Sequence, residues 1–279
     1  MSVMKVITFY SYKGGQGRTM ALASIASLLY RLGKNVVILD LDFEAPGVLA
    51  KFAPSVFTDL RATKSGVIQC FSEFESEMMV TGRMATERMV IKDISPFLTE
   101  VAPRGTEGAT GQLRLIPTGY PCGGDYFDAT SDKKWTNLFY PSPVNEVFFD
   151  EMYAAIRHIT PEPNYLLVDI KAGVSQSGTI NMKRADAIIC LFSSDFESQH
   201  GMRYALKLLD SMHRVRLDGA QTIILPVLSR IPHFLTKEEK SGLRNNFSNK
   251  LEENLRVRFS RDNIFSVWPK TLKPLVWLC

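Results

Sequence analysis

The sequence is short of the features that would settle its class cheaply. It carries only 4 cysteines in 279 residues, Cys70, Cys122, Cys190 and Cys279. None stands at CxxC or metal-ligand spacing from another, which excludes a disulfide-stapled scaffold and a thiolate metal site. Free thiols in a reducing, cytoplasmic setting are the expectation. The 4 histidines, His158, His200, His213 and His233, are scattered and form no catalytic or metal pairing. No apolar run approaches the roughly 20 residues that a membrane span needs. The first one, Val6 to Tyr10, is too short for a secretion leader and runs straight into glycines. Cys279 is the last residue, so it lacks the three that follow the cysteine of a prenylation box. Neither sign of charge dominates: 33 basic side chains face 29 acidic ones, a net charge of +4. That permits contact with nucleic acid without arguing for it.

What the sequence has is a rhythm. Short β-branched runs alternate with segments of helical spacing. Val6 to Tyr10, Val36 to Leu39, Leu113 to Ile116, Tyr165 to Val168, Ala187 to Phe192, Ile223 to Leu228 and Ile264 to Trp268 read as strands. Thr19 to Leu32, with Gly33 as its stop, reads as a helix. So do Val67 to Met79, Val147 to Ile159, Gly201 to Met212 and Lys237 to Leu255. Continuous apolar strands separated by helices imply a parallel sheet covered on both faces. The predicted fold is therefore α/β, a three-layer, doubly wound, mostly parallel sheet, with right-handed crossovers. Residues 1–279 read as one domain, and about 51–112 as an insertion that elaborates it. Phe71, Phe74, Met78 and Met79 read as local core.

The densest chemistry follows the first strand: Lys13-Gly14-Gly15-Gln16-Gly17-Arg18-Thr19. Gly14, Gly15 and Gly17 let successive backbone N–H groups turn inward around an anion. A helix begins directly after, and its N-terminal dipole favours negative charge. Arg18 brings a cation and Thr19 a hydroxyl, the order a phosphate loop requires. Strand, glycines, cation, hydroxyl and helix in sequence set this apart from a plain glycine turn.

The first glycine of the ordinary Walker motif, at the position of Tyr12, is absent, and Lys13 stands before a glycine pair instead. That pattern, followed by Asp40-Leu41-Asp42-Phe43-Glu44-Ala45-Pro46-Gly47, resembles the deviant Walker motif of the ParA/MinD ATPases of the SIMIBI class. Within that class it is similar to a bacterial branch with arginine in place of the phosphate-loop lysine. The resemblance implies a P-loop fold that binds ATP with Mg²⁺, hydrolyses it, and dimerises face to face to control a partner protein. It implies roles as well. Lys13 is the lysine that reaches across the dimer to the other subunit's phosphates, and Asp42 positions the attacking water. Arg18 assists the transfer. Gly14, Gly15, Gln16, Gly17, Arg18, Thr19, Met20 and Arg230 line the nucleotide. Thr19, Asp40 and Asp169 hold the metal. Asp169 closes the buried run Leu166-Leu167-Val168, the Walker B pattern, in which a cation compensates a buried carboxylate.

The sequence departs from that pattern in three places. Arg18 is planar and always charged, so it forks onto oxygens rather than sitting as a point charge. Binding should survive and turnover should be slow. Ile170-Lys171-Ala172 follows Asp169 where the branch has serine and arginine. Val227-Leu228-Ser229-Arg230 ends a late strand without the asparagine that reads adenine; Arg230 either stacks on the base or serves as a cap or ion-pair partner.

These departures motivate a second reading, a nucleotide-bound scaffold with little hydrolysis, working in a multi-protein bacterial system such as antiphage defence. A tyrosine kinase of the same motif is disfavoured, because residues 264–279 contain no tyrosine. DNA partitioning has only the mild basic run Arg203, Lys207, Arg214 and Arg216 behind it, and such runs are ordinarily solvated helix faces.

Overall fold

The structure is a computed structural model. It describes residues 3–52, 65–81, 90–103, 105, 108–119, 143–201, 204, 222–231 and 234–242. The run Ile264 to Trp268, the basic run Arg203, Lys207, Arg214 and Arg216, Cys122 and Cys279 lie outside the described residues, as do most of residues 201–212 and all of 243–255. A seven-stranded sheet organises the rest. Its strands are β1 (Lys5–Ser11), β2 (Asn35–Leu41), β3 (Thr99–Glu100), β4 (Gln112–Ile116), β5 (Tyr165–Ile170), β6 (Ala187–Phe192) and β7 (Ile223–Leu228). They lie in the order β3-β4-β2-β5-β1-β6-β7. All pair in parallel except β3, which runs antiparallel to β4 at the edge.

Alternation along the strands builds the two faces, because successive side chains point to opposite sides. On β2, Val37, Leu39 and Leu41 enter one core while Val36 and Ile38 enter the other. On β5, Leu166, Val168 and Ile170 face the first core and Leu167 the second. Helix α1 (Arg18–Arg31) and the short α2 (Val48–Phe52) cover the second face with Ala21, Leu22, Ala26, Leu29, Val48 and Leu49. Helices α3 (Val67–Thr81), α4 (Pro143–Arg157) and α5 (Gln176–Met182) contribute Phe71, Phe74, Phe148, Met152, Ile156 and Ile180 to the first. The three-layer sandwich expected from the alternating pattern is therefore present.

Phe71 and Phe74 are buried and meet the Phe148 ring edge-on, at centroid distances of 5.1 and 5.4 Å. They belong to the main core rather than to a separate cluster. Helix α4 begins earlier than the periodicity suggested because Pro143 starts it, a residue that fits the first helical turn, where its missing N–H is not needed. Gly33 stops α1 as expected: at φ 73° it lets its own N–H and that of Lys34 reach back to the carbonyls of Tyr30 and Leu29. Cys70 and Cys190 are free and buried, and burial pushes both thiols up to about 12.

Candidate functional site

The same alternation places the chemistry. Asp40 follows Val36 and Ile38 on the α1 side of β2, and Asp169 follows Leu167 on the α1 side of β5. The two residues are direct partners across the β2–β5 ladder. Phe9 of β1 pairs with Asp169 from the other side, so the loop leaving β1 passes directly beside both carboxylates. The strand ends thus bring Asp40, Asp169 and residues 12–19 to one edge of the sheet.

Gly17 precedes α1 with φ 79°, a left-handed conformation natural to glycine. No side chain caps this helix, and its first turn contains no acidic residue. Its leading N–H groups and dipole are therefore open to an external anion. Gly15 is left-handed as well, at φ 72°. The segment after β5 is tied to the end of β1, since Gly173 N–H donates to the Ser11 carbonyl at 3.0 Å.

Arg18 is buried and fully engaged. Its Nε donates to Asp169 Oδ1 at 2.5 Å, Nη2 to Asp42 Oδ2 at 2.5 Å and Nη1 to Ser11 Oγ at 3.2 Å. Thr19 Oγ1 donates to the second Asp169 oxygen at 2.8 Å. Asp40 accepts backbone N–H groups from Asp42 at 3.1 Å and Val48 at 3.3 Å, and among the described residues no cation pairs with it. Burial raises the Asp40 carboxyl well above the usual range, and the neighbouring Asp169 charge adds to the effect; the two N–H groups work against it. Burial raises Asp169 too, opposed by Arg18 and Thr19.

Asp42 and Asp169 thus share one guanidinium, and Asp40, beside Asp169 on the ladder, has none, so three carboxylates lie together with a single cation among them. Full ionisation leaves two negative charges uncompensated, a deficit that a divalent cation matches. The donors are hard oxygens, as Mg²⁺ prefers. Among the described residues no group of three or more carboxylate, histidine or cysteine side chains is placed to hold a metal ion by itself. Gln16 supplies a further sign of a missing partner: it is buried, and its Oε1 has no hydrogen-bond donor.

Lys13 points elsewhere. Its Nζ reaches Asp195 Oδ1 at 3.4 Å and pairs closely with Glu197, both past the end of β6. The hydrogen bond to Glu197 is the main reason the lysine's pKa is raised. Asp195 also receives the Ser198 N–H at 2.8 Å at the start of the helical residues 196–201. Beside this pair, the Tyr12 ring lies against Gly201 so closely that a Cβ there would fall 1.8 Å from a ring carbon. Lys171 pairs with Glu44. Met20 is exposed on the first turn of α1.

Arg230 follows β7 with φ 54°, unusual for a residue with a side chain. Its Nη1 stands 3.9 Å from the point a Cβ on Gly15 would occupy. Of the residues expected from the sequence, Arg18, Thr19, Asp42 and Asp169 are in contact, Asp40 adjoins Asp169, Arg230 approaches Gly15, and Lys13 turns instead to Asp195 and Glu197. Ser11, Asp195, Glu197 and the Tyr12–Gly201 contact escaped that reading, because nothing local to them signals a partner so far along the chain.

The fold is similar to that of solved plasmid partition proteins. Over 87% of its length the chain superposes on 87% of a plasmid partition protein from Borrelia burgdorferi, with a TM-score of 0.57 and 14% identity. It is likewise similar to pNOB8 ParA, covering 91% of this chain and 73% of that one, with a TM-score of 0.58 and 18% identity. A Cyanothece McdA variant solved as an ATP complex matches with a TM-score of 0.57 and 12% identity, over 93% of this chain and 82% of that one. No family model matches the sequence. No curated protein matches it either.

Proposed function

We propose that this chain is an ATP- and Mg²⁺-binding molecular switch of the ParA/MinD type that dimerises on ATP, hydrolyses it slowly and controls a partner protein. The observation that carries this reading is the meeting of an uncapped helix N-terminus with Arg18, Thr19, Asp40, Asp42 and Asp169 at one sheet edge. Fold likeness to an ATP complex supports the choice of nucleotide. Thr19, Asp40 and Asp169 would hold the metal, whose chemistry is to neutralise charge on the outer phosphates. Asp42 would orient the attacking water, and Lys13 would reach the other subunit's phosphates. Tyr12, Val174 and Phe196 are exposed on the segments that follow β1, β5 and β6, which suits a face that a second copy or a partner covers. Among the described residues no helix is long and apolar enough to cross a membrane.

A second reading, the scaffold that binds nucleotide without appreciable turnover, has its own support. Arg18 holds Asp42, the very carboxylate assigned to the water, and a carboxylate kept in that pair would be slow to orient water. DNA partitioning has weaker support, by analogy with pNOB8 ParA solved on nonspecific DNA.

Steady-state ATP hydrolysis, measured against protein concentration with Mg²⁺ for wild type, Lys13→Ala and Asp42→Ala, separates the two main readings. The switch predicts specific activity that rises with concentration and is lost in both variants while ATP binding persists. If wild type binds ATP and dimerises but turns over no faster than the variants, the scaffold reading replaces it.

A further inference from the structure

Four cations surround the phosphate loop, and three of them are already engaged. Arg18 is tied to Asp42, Asp169 and Ser11. Lys13 is tied to Asp195 and Glu197, and Lys171 to Glu44. Arg230 is the exception: among the described residues it enters no ion pair or hydrogen bond, although its guanidinium lies over Gly15.

Its placement is built rather than incidental. Ser229 is buried at the end of β7 and is bonded twice to the Phe192 carbonyl, by its N–H at 2.7 Å and its Oγ at 3.1 Å. That anchors the strand end to the neighbouring β6, which itself adjoins β1. The chain then turns left-handed at Arg230, at φ 54°. Such a conformation is costly for arginine and persists where the surroundings impose it, most often at ligand sites. A guanidinium beside a loop with left-handed glycines at Gly15 and Gly17 is placed for phosphate oxygens rather than a base.

We infer that Arg230 is the side chain that grips the phosphate chain of the bound nucleotide, doing for this site what Arg18 cannot do while its guanidinium is committed to carboxylates. The inference rests on the nucleotide-binding reading above. It assigns Arg230 to phosphate recognition instead of base stacking, and it makes the site indifferent to base at this position.

Calorimetric titration of wild type, Arg230→Ala and Arg230→Lys with ATP, GTP and inorganic tripolyphosphate tests it. Arg230→Ala is expected to weaken all three by the same factor, about ten- to a hundredfold, the range for hydrogen bonds to a charged group. Arg230→Lys should recover part of the loss, since it keeps the charge without the fork. Thermal unfolding should be nearly unchanged in both, because the side chain is exposed and unpaired. A loss confined to ATP and GTP, with tripolyphosphate binding intact, would assign Arg230 to the base and overturn the inference. Equal affinities across the three proteins would overturn it as well. A wild type that binds none of the three would sink the nucleotide reading itself, a result distinct from either of those.

Discussion

Lys13 and Arg18 flank the same glycine loop and carry the same charge, yet they live in different media. Arg18 is buried among carboxylates, with every arm of its guanidinium in use. Lys13 is half-exposed, and its partners Asp195 and Glu197 are more exposed still. A buried ion pair is held firmly because separating it strands a charge in a poor solvent. An exposed pair exchanges readily with water and salt. The loop therefore has a fixed arm and a movable one, which suits a residue that organises the site and a residue that must leave it.

Removing the fixed arm has the largest expected effect. Arg18→Ala leaves Asp42 and Asp169 without their counter-charge, and urea unfolding should show a loss of about 3–5 kcal/mol, typical of breaking one side of a buried pair. Arg18→Lys should fall between, as it keeps the charge but cannot serve Asp42, Asp169 and Ser11 together. A full-strength fold in Arg18→Ala would mean that the cluster is neutralised by protons instead.

Asp40 sharpens the contrast from the carboxylate side. Its folded pKa lies above the ordinary value of 3.8, through burial first and Asp169 second. The folded chain therefore holds a proton that the unfolded chain has released. The resulting stabilisation is present below the unfolded value and is lost as pH rises through the folded one. Asp40→Asn removes that loss. Urea melts in mildly acidic and mildly alkaline buffer should show a shallower pH dependence in the variant, with a gain on the order of 1 kcal/mol at the alkaline end. The dependence should not vanish, because burial also raises Asp169. In the presence of ATP the order reverses on the proposed reading, since the variant loses a metal ligand.

How much of this was legible beforehand follows the same division. The strands Ala187–Phe192 and Ile223–Leu228 were readable to the residue, because a covered parallel strand is written as an unbroken apolar run. The glycine loop was readable from its own residues, and the strand-end carboxylates as site candidates through the resemblance that the loop carries. What Arg18 does was not. Its position marks it as a phosphate cation, but its present partner Asp169 is 151 residues away. The Lys13–Glu197 pair spans 184 residues, and no local pattern announces it. Arg230 stood between roles in the sequence; its backbone angle and its approach to Gly15 exist only once β7 has docked on β6. Period and turn chemistry are local, whereas ion pairing belongs to the assembled sheet edge.

The movable arm gives the smallest effect and the most specific one. Asp195 is a poor place to test it, because its carboxylate bonds first to the Ser193 hydroxyl and the Ser198 N–H, and these dominate its lowered pKa. Replacing it would fray the helical residues 196–201 along with the ion pair. Glu197→Gln is cleaner: it removes a charge from Lys13 and leaves that helix start intact. Thermal unfolding should not change measurably, as expected of exposed ion pairs. If Lys13 must leave Glu197 to reach a second subunit, the variant should reach full specific ATPase activity at a protein concentration lower by a few-fold. Raising the salt should move wild type toward the variant, because screening weakens the exposed pair and leaves the buried Arg18 cluster nearly untouched. A Glu197→Gln protein whose concentration dependence matches wild type at every salt level would show that the pair does not restrain Lys13.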